Sequence, residues 1–403
     1  METVIHKKWG ISMNYRFNRE IAALQPSASI ALMDKARAMK AQGMDVISLA
    51  GGEPDFDTPE VAAQAGIRGI LRGKTHYTAG RGIPTLRERL AKKLRDENGI
   101  CCGASSVLVT PGAKAAIYCA VRTLVNPGDE VMILDPSWVS YESIVQAASA
   151  TAVHVPLSFA DGYTISREVF ESCVSEKSRI LIINTPNNPT GRVITEKEAK
   201  VIADFAMQYD LMVIADEIYE KILFDGSKHI SLASNPEIAE RVVTVNGLSK
   251  CAAMTGWRLG YLTAAQEVVD QIYLFYQHVF TCVPEFAQEA AVAALDATEA
   301  VEAMRVSYQQ RRDSFIADLQ ALPGFSCIVP EGAFYAWARV DYHGMDADAV
   351  AKFLLEEAHV VTVPGGAYGE NSKNCIRMCF AADSAELKEA VKRMAAVLKE
   401  EKS

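Results

Sequence analysis

A lysine and an arginine eight residues apart are the residues best suited to chemistry in this sequence. Lys250 and Arg258 lie in the segment SKCAAMTGWRLGY, shortly after the apolar run at 242–245. A lysine withdrawn from water becomes a nucleophile toward carbonyl carbon, and the planar guanidinium of an arginine suits a phosphate group. Two surface cations beside a loop are the alternative interpretation, which the apolar surroundings disfavour.

A carboxylate follows the preceding apolar run. Asp216 comes directly after residues 211–215, where a charged oxygen is costly unless a cation or a hydrogen-bond donor meets it. A protonated pyridine nitrogen would be such a partner. An aspartate at this point would also serve as the N-cap of a helix, so the residue alone leaves both roles open.

Two further turns could bind parts of a ligand. In TPGAKAA, the backbone N–H groups of Gly112, Ala113 and Lys114 would be free at the start of a helix and could hold a phosphate. In NTPNNPTG, Asn188 follows an apolar run that ends at residue 183. Taken alone, this second segment is more typical of a plain turn.

The apolar runs that precede these residues indicate a parallel sheet. They are continuously apolar rather than alternating, and amphipathic stretches separate them, which is typical of strands buried on both faces between helices. Because ligands bind beyond the carboxyl ends of such strands, the polar residues would converge there. The runs are residues 107–109, 131–134, 179–183, 211–215, 242–245 and 259–263.

The last quarter of the sequence has a different pattern, which predicts a smaller α+β domain. The predicted elements are a helix over 299–319, a strand-like stretch over 325–340, a helix over 346–357, a strand over 359–369 and a helix from residue 384.

The domain organisation follows from this change of pattern. The N-terminal segment is too short for a domain of its own, and we expect it to pack on the small domain. The predicted parts are an N-terminal segment or lid at 1–60, a large cofactor-binding domain at 61–298 and a small C-terminal domain at 299–403.

Composition restricts the class of protein. The net charge of −9 disfavours a nucleic acid or an anionic membrane surface as the main partner. No apolar run is long enough to span a bilayer, and the polar start is unlike a signal peptide, which predicts a cytoplasmic protein. The nine cysteines contain no CxxC pair and no Cys/His cluster, so they predict reduced thiols and no metal site.

The ordered motifs resemble those of fold-type I pyridoxal-phosphate aminotransferases of class I, close to the bacterial aspartate aminotransferase branch. NNPTG, DEIY and SKCAAMTGWRLGY occur in the family's order, and the similarity extends from GGEPDFDTP to NCIRMCFA. It implies an α/β fold, with a mostly parallel sheet between helices in a large domain and a smaller α+β domain formed by both termini. It also implies pyridoxal 5′-phosphate as cofactor and ping-pong transfer of an amino group from an L-amino acid to a 2-oxo acid.

The resemblance implies a role for each residue near the cofactor ring. Lys250 would bind the cofactor covalently and move the proton at the substrate's α-carbon. Asp216 would keep the ring nitrogen protonated, so that the ring acts as an electron sink. Asn188 and Tyr219 would hydrogen-bond the ring oxygen, and Trp138, in DPSWVSY, would stack on the ring.

Other residues would hold the substrate or the phosphate. By the same resemblance, Arg377 in NCIRMCFA would form a bidentate pair with the substrate's α-carboxylate, and Gly52 would offer a backbone N–H to it. Trp138 and Asn188 would also contact the substrate. The phosphate-binding residues would be Gly112, Ala113, Lys114, Ser249, Arg258 and, from the other subunit of an obligate homodimer, Tyr77.

The substrate side chain is less determined. Arg122 lies on one helical stripe with Lys114, and in this branch a cation at that position can reach the distal carboxylate of aspartate or glutamate. Pairing of Arg122 with Asp129 or Glu130 at the helix end is an equally good interpretation. We predict an acidic amino acid with 2-oxoglutarate as acceptor. Aromatic or broad specificity, or a pyridoxal-phosphate β-lyase on the same fold, are the alternatives.

Overall fold

The strands form a large central sheet and two smaller sheets in a computed structural model that describes residues 15–398. The ends of the predicted N-terminal segment and small domain, residues 1–14 and 399–403, lie outside the described residues. The strands are β1 (Ile47–Ser48), β2 (Val107–Thr110), β3 (Glu130–Asp135), β4 (Thr151–Pro156), β5 (Ser178–Asn184), β6 (Met212–Asp216), β7 (Val242–Gly247), β8 (Gly260–Thr263), β9 (Phe325–Ile328), β10 (Tyr335–Val340), β11 (Val360–Val361), β12 (Val363–Pro364) and β13 (Cys375–Cys379).

Helices separate most of these strands along the chain. In the part of the chain that the structure describes, no helix is long and apolar enough to cross a bilayer. The helices are α1 (Arg19–Ala23), α2 (Ala28–Ala41), α3 (Glu60–Leu71), α4 (Pro84–Asn98), α5 (Ala113–Leu124), α6 (Ser140–Ala147), α7 (Arg167–Glu171), α8 (Glu196–Gln208), α9 (Gln266–Val279), α10 (Glu285–Ala294), α11 (Thr298–Gln320), α12 (Ala347–Ala358) and α13 (Ser384–Val397).

The central sheet has the strand order β2-β8-β7-β6-β5-β3-β4. The six predicted apolar runs all form strands of this sheet, and the predicted α/β architecture is confirmed. One strand departs from the parallel arrangement, since β8 pairs antiparallel with both β2 and β7. The loop between β7 and β8 reverses the chain without a crossover helix, which a reading of apolar runs alone does not detect.

The C-terminal part forms a second sheet with the order β12-β13-β10-β9. The predicted helices correspond to α11, α12 and α13, but the stretch 325–340 is two strands, β9 and β10, rather than one. The stretch 359–369 contains β11 and β12 and then a 3-10 turn. Near the N-terminus, β1 pairs parallel with β11, so both ends of the described chain contribute to this region.

The carboxyl ends of β2, β3, β5, β6 and β7 lie at one edge of the central sheet, because these strands run in the same direction. Asp216 is the last residue of β6, and the turns that follow the other four strands carry Gly112, Trp138, Asn188 and Lys250. Strand β8 starts at the same edge because it is antiparallel. The predicted convergence of polar residues is therefore a consequence of the sheet topology.

A buried ionic network lies beneath the turn that follows β6. The ammonium of Lys93, on α4, pairs with Glu220 and donates to Oδ1 of Asn98 (2.6 Å). Nε2 of His229 lies 2.9 Å from Oε2 of Glu217. The ligand atoms of Glu217, Glu220 and His229 all lie within 4.8 Å of one another, which is compact enough to hold a cation. In this arrangement Lys93 supplies the positive charge.

We expect Lys93→Met to lower the free energy of unfolding by roughly 3 kcal/mol, because it leaves the buried Glu220 without its cation. Burial alone would raise the pKa of Glu220, but Lys93 and His229 lower it from 4.5 to about 2. This depressed pKa stabilises the fold above pH 4.5, and the stabilisation is lost as the pH falls toward 2. Urea unfolding of the wild-type protein and of Lys93→Met across this pH range measures the difference in their free energies of unfolding.

The control is Lys92→Met, which removes an exposed i,i+4 pair with Asp96 on the same helix. It should change the unfolding free energy by less than about 0.5 kcal/mol. Equal losses in the two variants, or an unchanged acid sensitivity in Lys93→Met, would contradict the importance of the buried pair.

Candidate active site

A cavity of about 480 Å³ lies at the carboxyl edge of the central sheet, where residues of β10 and β13 close it. This volume suits a cofactor-sized ligand. The predicted site residues that line it are Gly52, Gly112, Ala113, Lys114, Trp138, Asn188, Asp216, Tyr219, Ser249, Lys250, Arg258 and Arg377.

Lys250 has the environment of a nucleophile. It lies in the turn after β7, and its Nζ donates to the carbonyl oxygen of Gly52 (2.5 Å). Desolvation lowers the pKa of Lys250 from 10.5 to about 8. At about pH 7.5 roughly a quarter of such amines are neutral, against about one in a thousand at the ordinary pKa. The site therefore supplies an amine that can attack a carbonyl near neutral pH.

Asp216 ends β6 as a buried carboxylate. Its Oδ2 accepts a hydrogen bond from the hydroxyl of Tyr141 (2.6 Å), and its Oδ1 accepts a longer one from the backbone N–H of Ile218 (3.3 Å). Burial raises the pKa of Asp216 to about 6, although these donors oppose the shift. A cation against this carboxylate would offset the cost of its burial.

The turn between β2 and α5 forms a narrow cradle with Arg258. Gly112 has φ +89°, and a Cβ at this position would lie 2.5 Å from the Arg258 guanidinium. Arg258 itself is left-handed, with φ 53° and ψ 53°, a strained conformation for a residue with a side chain. Its Nη1 donates to the carbonyl oxygen of Thr255 (2.8 Å). Free N–H groups of α5 and a guanidinium thus face the same space, as a phosphate requires.

Arg377, in the middle of β13, is the cation of the opposite wall. It is 3% exposed, and its Nη2 donates to the carbonyl oxygens of Ala50 (2.8 Å) and Gly51 (3.0 Å). Its Nη1 donates to Oδ1 of Asn188 (3.2 Å), which joins two residues that the sequence places on the substrate. Its buried Nε has no hydrogen-bond partner among the described residues. The guanidinium keeps donor capacity for an anion.

Trp138 and Lys114 occupy the wall above the cradle. The Lys114 ammonium lies 4.8 Å from the centroid of the Trp138 ring and donates to Oγ of Ser140 (3.2 Å). Desolvation and the nearby Arg258 lower the pKa of Lys114. The indole thus faces the cavity with a cation beside it.

These features fit pyridoxal phosphate. The glycine cradle and Arg258 suit its phosphate, the buried Asp216 suits a protonated ring nitrogen, and Lys250 is an amine with a lowered pKa. A Cβ on Gly260 would lie 2.5 Å from the backbone nitrogen of Ala113, so this wall of the cradle has no room for a larger residue. Each polar part of the cofactor therefore has a matching group in the cavity.

Two predicted site residues do not line this cavity. Tyr77 is 87% exposed, and its contact with a partner subunit stays a prediction. Arg122 is exposed in the last turn of α5, about 12 Å along the helix from Lys114. Asp129 pairs with Arg179 (3.7 Å), so the structure does not favour its predicted pairing with Arg122. The helix starts at the cavity and leads away from it.

Several cavity residues were not predicted. Tyr141 contacts Asp216 and follows Trp138 by three residues, a spacing that could have indicated it. Asn184 accepts a hydrogen bond from the backbone N–H of Asn188 (2.8 Å). The structure also places Tyr335 of β10 and Arg37 of α2 in the wall. Neither has a sequence signal that points to this site.

Comparison with known proteins identifies the family. The family model described as aminotransferase class I and II matches residues 44–394. The chain is 43% identical over 358 residues to an aspartate aminotransferase of Musicola paradisiaca, covering 88% of this chain and 90% of that protein. It is 40% identical over 367 residues to aromatic-amino-acid aminotransferase 2 of Thermococcus litoralis, covering 90% and 94%.

The solved structures agree with this match. The aspartate aminotransferase of Thermus thermophilus with maleate superimposes with a TM-score of 0.91 at 36% identity, covering 95% of this chain and 100% of that one. Together with the cavity and its lysine, these matches show that the chain belongs to the class I and II aminotransferases, enzymes that use pyridoxal phosphate to transfer amino groups.

Proposed function

We propose that the enzyme transfers the amino group of a dicarboxylic amino acid, with aspartate as the expected donor, to 2-oxoglutarate. The observation that carries this proposal is that Lys114, at the start of α5, and Arg377, in β13, both line one cavity. A substrate with two carboxylates can pair with both cations. The maleate named with the Thermus thermophilus structure is also a dicarboxylate.

The roles of the other cations in the cavity lining support Lys114 as the partner of the substrate's distal carboxylate. We assign Lys250 to the cofactor, Arg258 to the phosphate and Arg377 to the α-carboxylate. Lys114 and Arg37 are then the other cations of the lining. Both side chains are exposed, but Arg37 pairs with Asp34 (3.1 Å), whereas Lys114 lies against the Trp138 ring (4.8 Å). Lys114 is thus the better partner for a distal carboxylate.

The proposed mechanism assigns proton transfer to Lys250. Bound pyridoxal phosphate supplies an aldehyde that accepts the amino group and a ring that withdraws electrons from the α-carbon. Lys250 Nζ holds the cofactor and, once released, takes the proton from the substrate's α-carbon. Asp216 keeps the proton on the ring nitrogen, while Tyr219 and Asn188 hydrogen-bond the ring oxygen. Arg377 orients the substrate through its α-carboxylate.

An aromatic substrate is the second candidate. Ile30 and Met33 of α2 line the cavity beside Trp138, and this wall could contact an aromatic side chain. The relative from Thermococcus litoralis is named for aromatic amino acids. A panel of amino donors, followed through the visible absorbance of the cofactor, separates the two candidates because only true donors change the spectrum.

We propose a homodimer in which Tyr77 completes the partner's phosphate site. Tyr77 and several apolar side chains of α3 and α9 are exposed, and Leu71 is 81% exposed, more than an isolated subunit would favour. Two ion pairs join the segment after α3 to neighbouring helices. Lys74 pairs with Glu285 of α10, and Arg81 pairs with Asp270 of α9. The exposed apolar residues of this surface are Ile67, Ile70, Leu71, Tyr77, Leu274 and Val279.

The location and the domain limits are also proposals. All nine cysteines are free, which suits the reducing cytoplasm. The positions of the two main sheets, whose strands lie within 107–263 and 325–379, support the proposed domains 61–298 and 299–403. The substrate would therefore bind between them, with residues of the segment 1–60 in the same wall.

The rate of cofactor uptake by apoenzyme should rise about tenfold per pH unit below about pH 8 and level off above it, since only neutral Lys250 reacts. Stopped-flow absorbance measures this rate. Lys250→Ala should bind the cofactor without the band of the covalent form and lose at least about 10²-fold in transamination. A rate that depends on pH only around 10.5 would contradict the lowered pKa.

Lys114→Met should lower kcat/KM for aspartate by about 10- to 100-fold relative to alanine, because the distal carboxylate loses a charged partner. Steady-state assays with both donors give this ratio. The control is Arg122→Ala, on the same helix but outside the cavity, which should leave the ratio unchanged. If Arg122→Ala alone altered the ratio, the assignment of the distal carboxylate to Lys114 would be wrong.

Subunit exchange tests the shared site. Tyr77→Ala and Lys250→Ala homodimers should both be weakly active, but a refolded mixture should recover up to about a quarter of wild-type activity. In an equal mixture half of all dimers are heterodimers, and each heterodimer has one intact site out of two, which gives about a quarter of the wild-type sites. A mixture that stays at the average of its components would argue against a contribution of Tyr77 to the partner's site.

A further inference from the structure

The hydroxyl of Tyr335 lies at the centre of the candidate site. Tyr335 is the first residue of β10 and is 1% exposed, yet it lines the cavity. Its Oη is 2.8 Å from Oη of Tyr219, which comes from the turn after β6. This hydrogen bond joins the two main sheets at the proposed position of the cofactor's ring oxygen.

The ring of Tyr219 is held in place by aromatic contacts. Phe334 and Tyr335 lie nearly perpendicular to it, with centroid distances of 5.4 and 5.8 Å. Such edge-to-face contacts fix the ring plane. They do not fix the torsion of the Tyr219 hydroxyl, so the direction of its proton depends on the hydrogen bond to Tyr335.

The ring of Tyr335 also contacts the substrate-binding arginine. The guanidinium carbon of Arg377 lies 4.5 Å from the centroid of the Tyr335 ring. The two residues are diagonal neighbours on one face of the sheet, because Tyr335 pairs with Cys379 and Trp337 pairs with Arg377. One side chain thus contacts the proposed partner of the cofactor through its hydroxyl and the proposed partner of the substrate through its ring.

The number of available protons determines which of the two hydroxyls donates the hydrogen bond. Each phenol has one proton, and burial raises the pKa of both, so both stay protonated near neutral pH. If Tyr219 donated to Tyr335, its oxygen would turn only lone pairs toward an anionic ring oxygen, which is repulsive. If Tyr335 donates to Tyr219, the proton of Tyr219 is available to that oxygen.

We propose that Tyr335 is a positioning residue for the transfer reaction, whose hydroxyl donates to Tyr219 Oη and thereby directs the Tyr219 proton into the cavity. The inference rests on the proposed role of Tyr219 at the cofactor's ring oxygen. A chain of two hydroxyls also makes the terminal one a stronger donor, because hydrogen bonds in series polarise one another.

The test is the pH dependence of the visible absorbance of holoenzyme, without substrate. Tyr219 stabilises the deprotonated form of the chromophore by donating to its oxygen. Tyr335→Phe removes the hydroxyl that donates to Tyr219. It should raise the spectral midpoint, the pH at which half of the chromophore is deprotonated, by roughly 0.5 to 1 pH unit. Tyr219→Phe should raise it at least as far.

The double variant shows whether Tyr335 acts through Tyr219. If it does, Tyr219→Phe combined with Tyr335→Phe should have the midpoint of Tyr219→Phe alone. Two independent effects would add, and an additive shift would overturn the proposal. An unchanged midpoint in Tyr335→Phe would overturn it as well.

Tyr308→Phe is the matched control for loss of a buried phenol. Tyr308 is 1% exposed, packs on Phe334 at 5.5 Å, and its hydroxyl has no hydrogen-bond partner among the described residues. The Tyr308→Phe variant should leave the spectral midpoint unchanged. A shift equal to that of Tyr335→Phe would mean that the effect is a general one of core packing, and the proposal would be wrong.

Steady-state kinetics separates the hydroxyl from the ring. Tyr335→Phe keeps a ring beneath Arg377, so KM should stay within about twofold while kcat falls about 3- to 10-fold. Tyr335→Leu removes the ring and should also raise KM several-fold. A raised KM with unchanged kcat in Tyr335→Phe would contradict a role through Tyr219.

The outcomes also separate this inference from the proposed function. Wild-type enzyme whose cofactor absorbance does not titrate, or which lacks transamination, would refute the proposed function and this inference with it. A normal wild-type titration with an unchanged midpoint in Tyr335→Phe would refute the positioning role alone.

Discussion

The carboxylate of Asp216 is buried at the end of β6, and among the described residues it accepts side-chain hydrogen bonds from two neutral donors, the Tyr141 hydroxyl and the backbone N–H of Ile218. Burial of such a group costs free energy that a nearby cation can return. Burial of Lys250 and Arg377 also costs free energy, because each is a cation in desolvated surroundings, and a nearby anion would offset this cost. In the proposed function, bound cofactor and substrate would complete the compensation of these charges, and the surrounding sheets must hold the charged residues in place.

The central sheet meets part of this requirement. Its parallel strands bring the cradle of α5, Asp216 and Lys250 to one edge, and the reversal of β8 returns Arg258 to the same place. The second sheet supplies Tyr335 and Arg377 from neighbouring strands. Hydrogen bonds from Arg377 to Asn188 and between Tyr335 and Tyr219 connect the two walls. The site that we propose for substrate recognition and chemistry therefore depends on both sheets at once.

Most of the central strands could be predicted because they are buried on both faces and continuously apolar. Three strands were missed. Strand β1 has only two residues, and the other two were missed for opposite reasons. The half-exposed β4 lies at the edge of the sheet and mixes polar with apolar residues, and β13 carries Arg377 in its middle. An edge strand needs no continuous apolar run, and a functional charge interrupts one. The antiparallel β8 is equally apolar, so its direction could not be read from composition.

The sequence by itself indicated the chemistry through its resemblance to the aminotransferases, because Asn188, Asp216 and Lys250 follow apolar strands in the family's order and Arg258 precedes the next one. Parallel topology brings such strand ends together. Only the tertiary structure shows which of the predicted cations line the cavity. Helical periodicity put Arg122 and Lys114 on one stripe, but only the start of α5 faces the cavity, which favours Lys114. Tyr335 is 116 residues from Tyr219 and has no motif of its own. Such a contact arises from the packing of two sheets, which local sequence patterns do not encode.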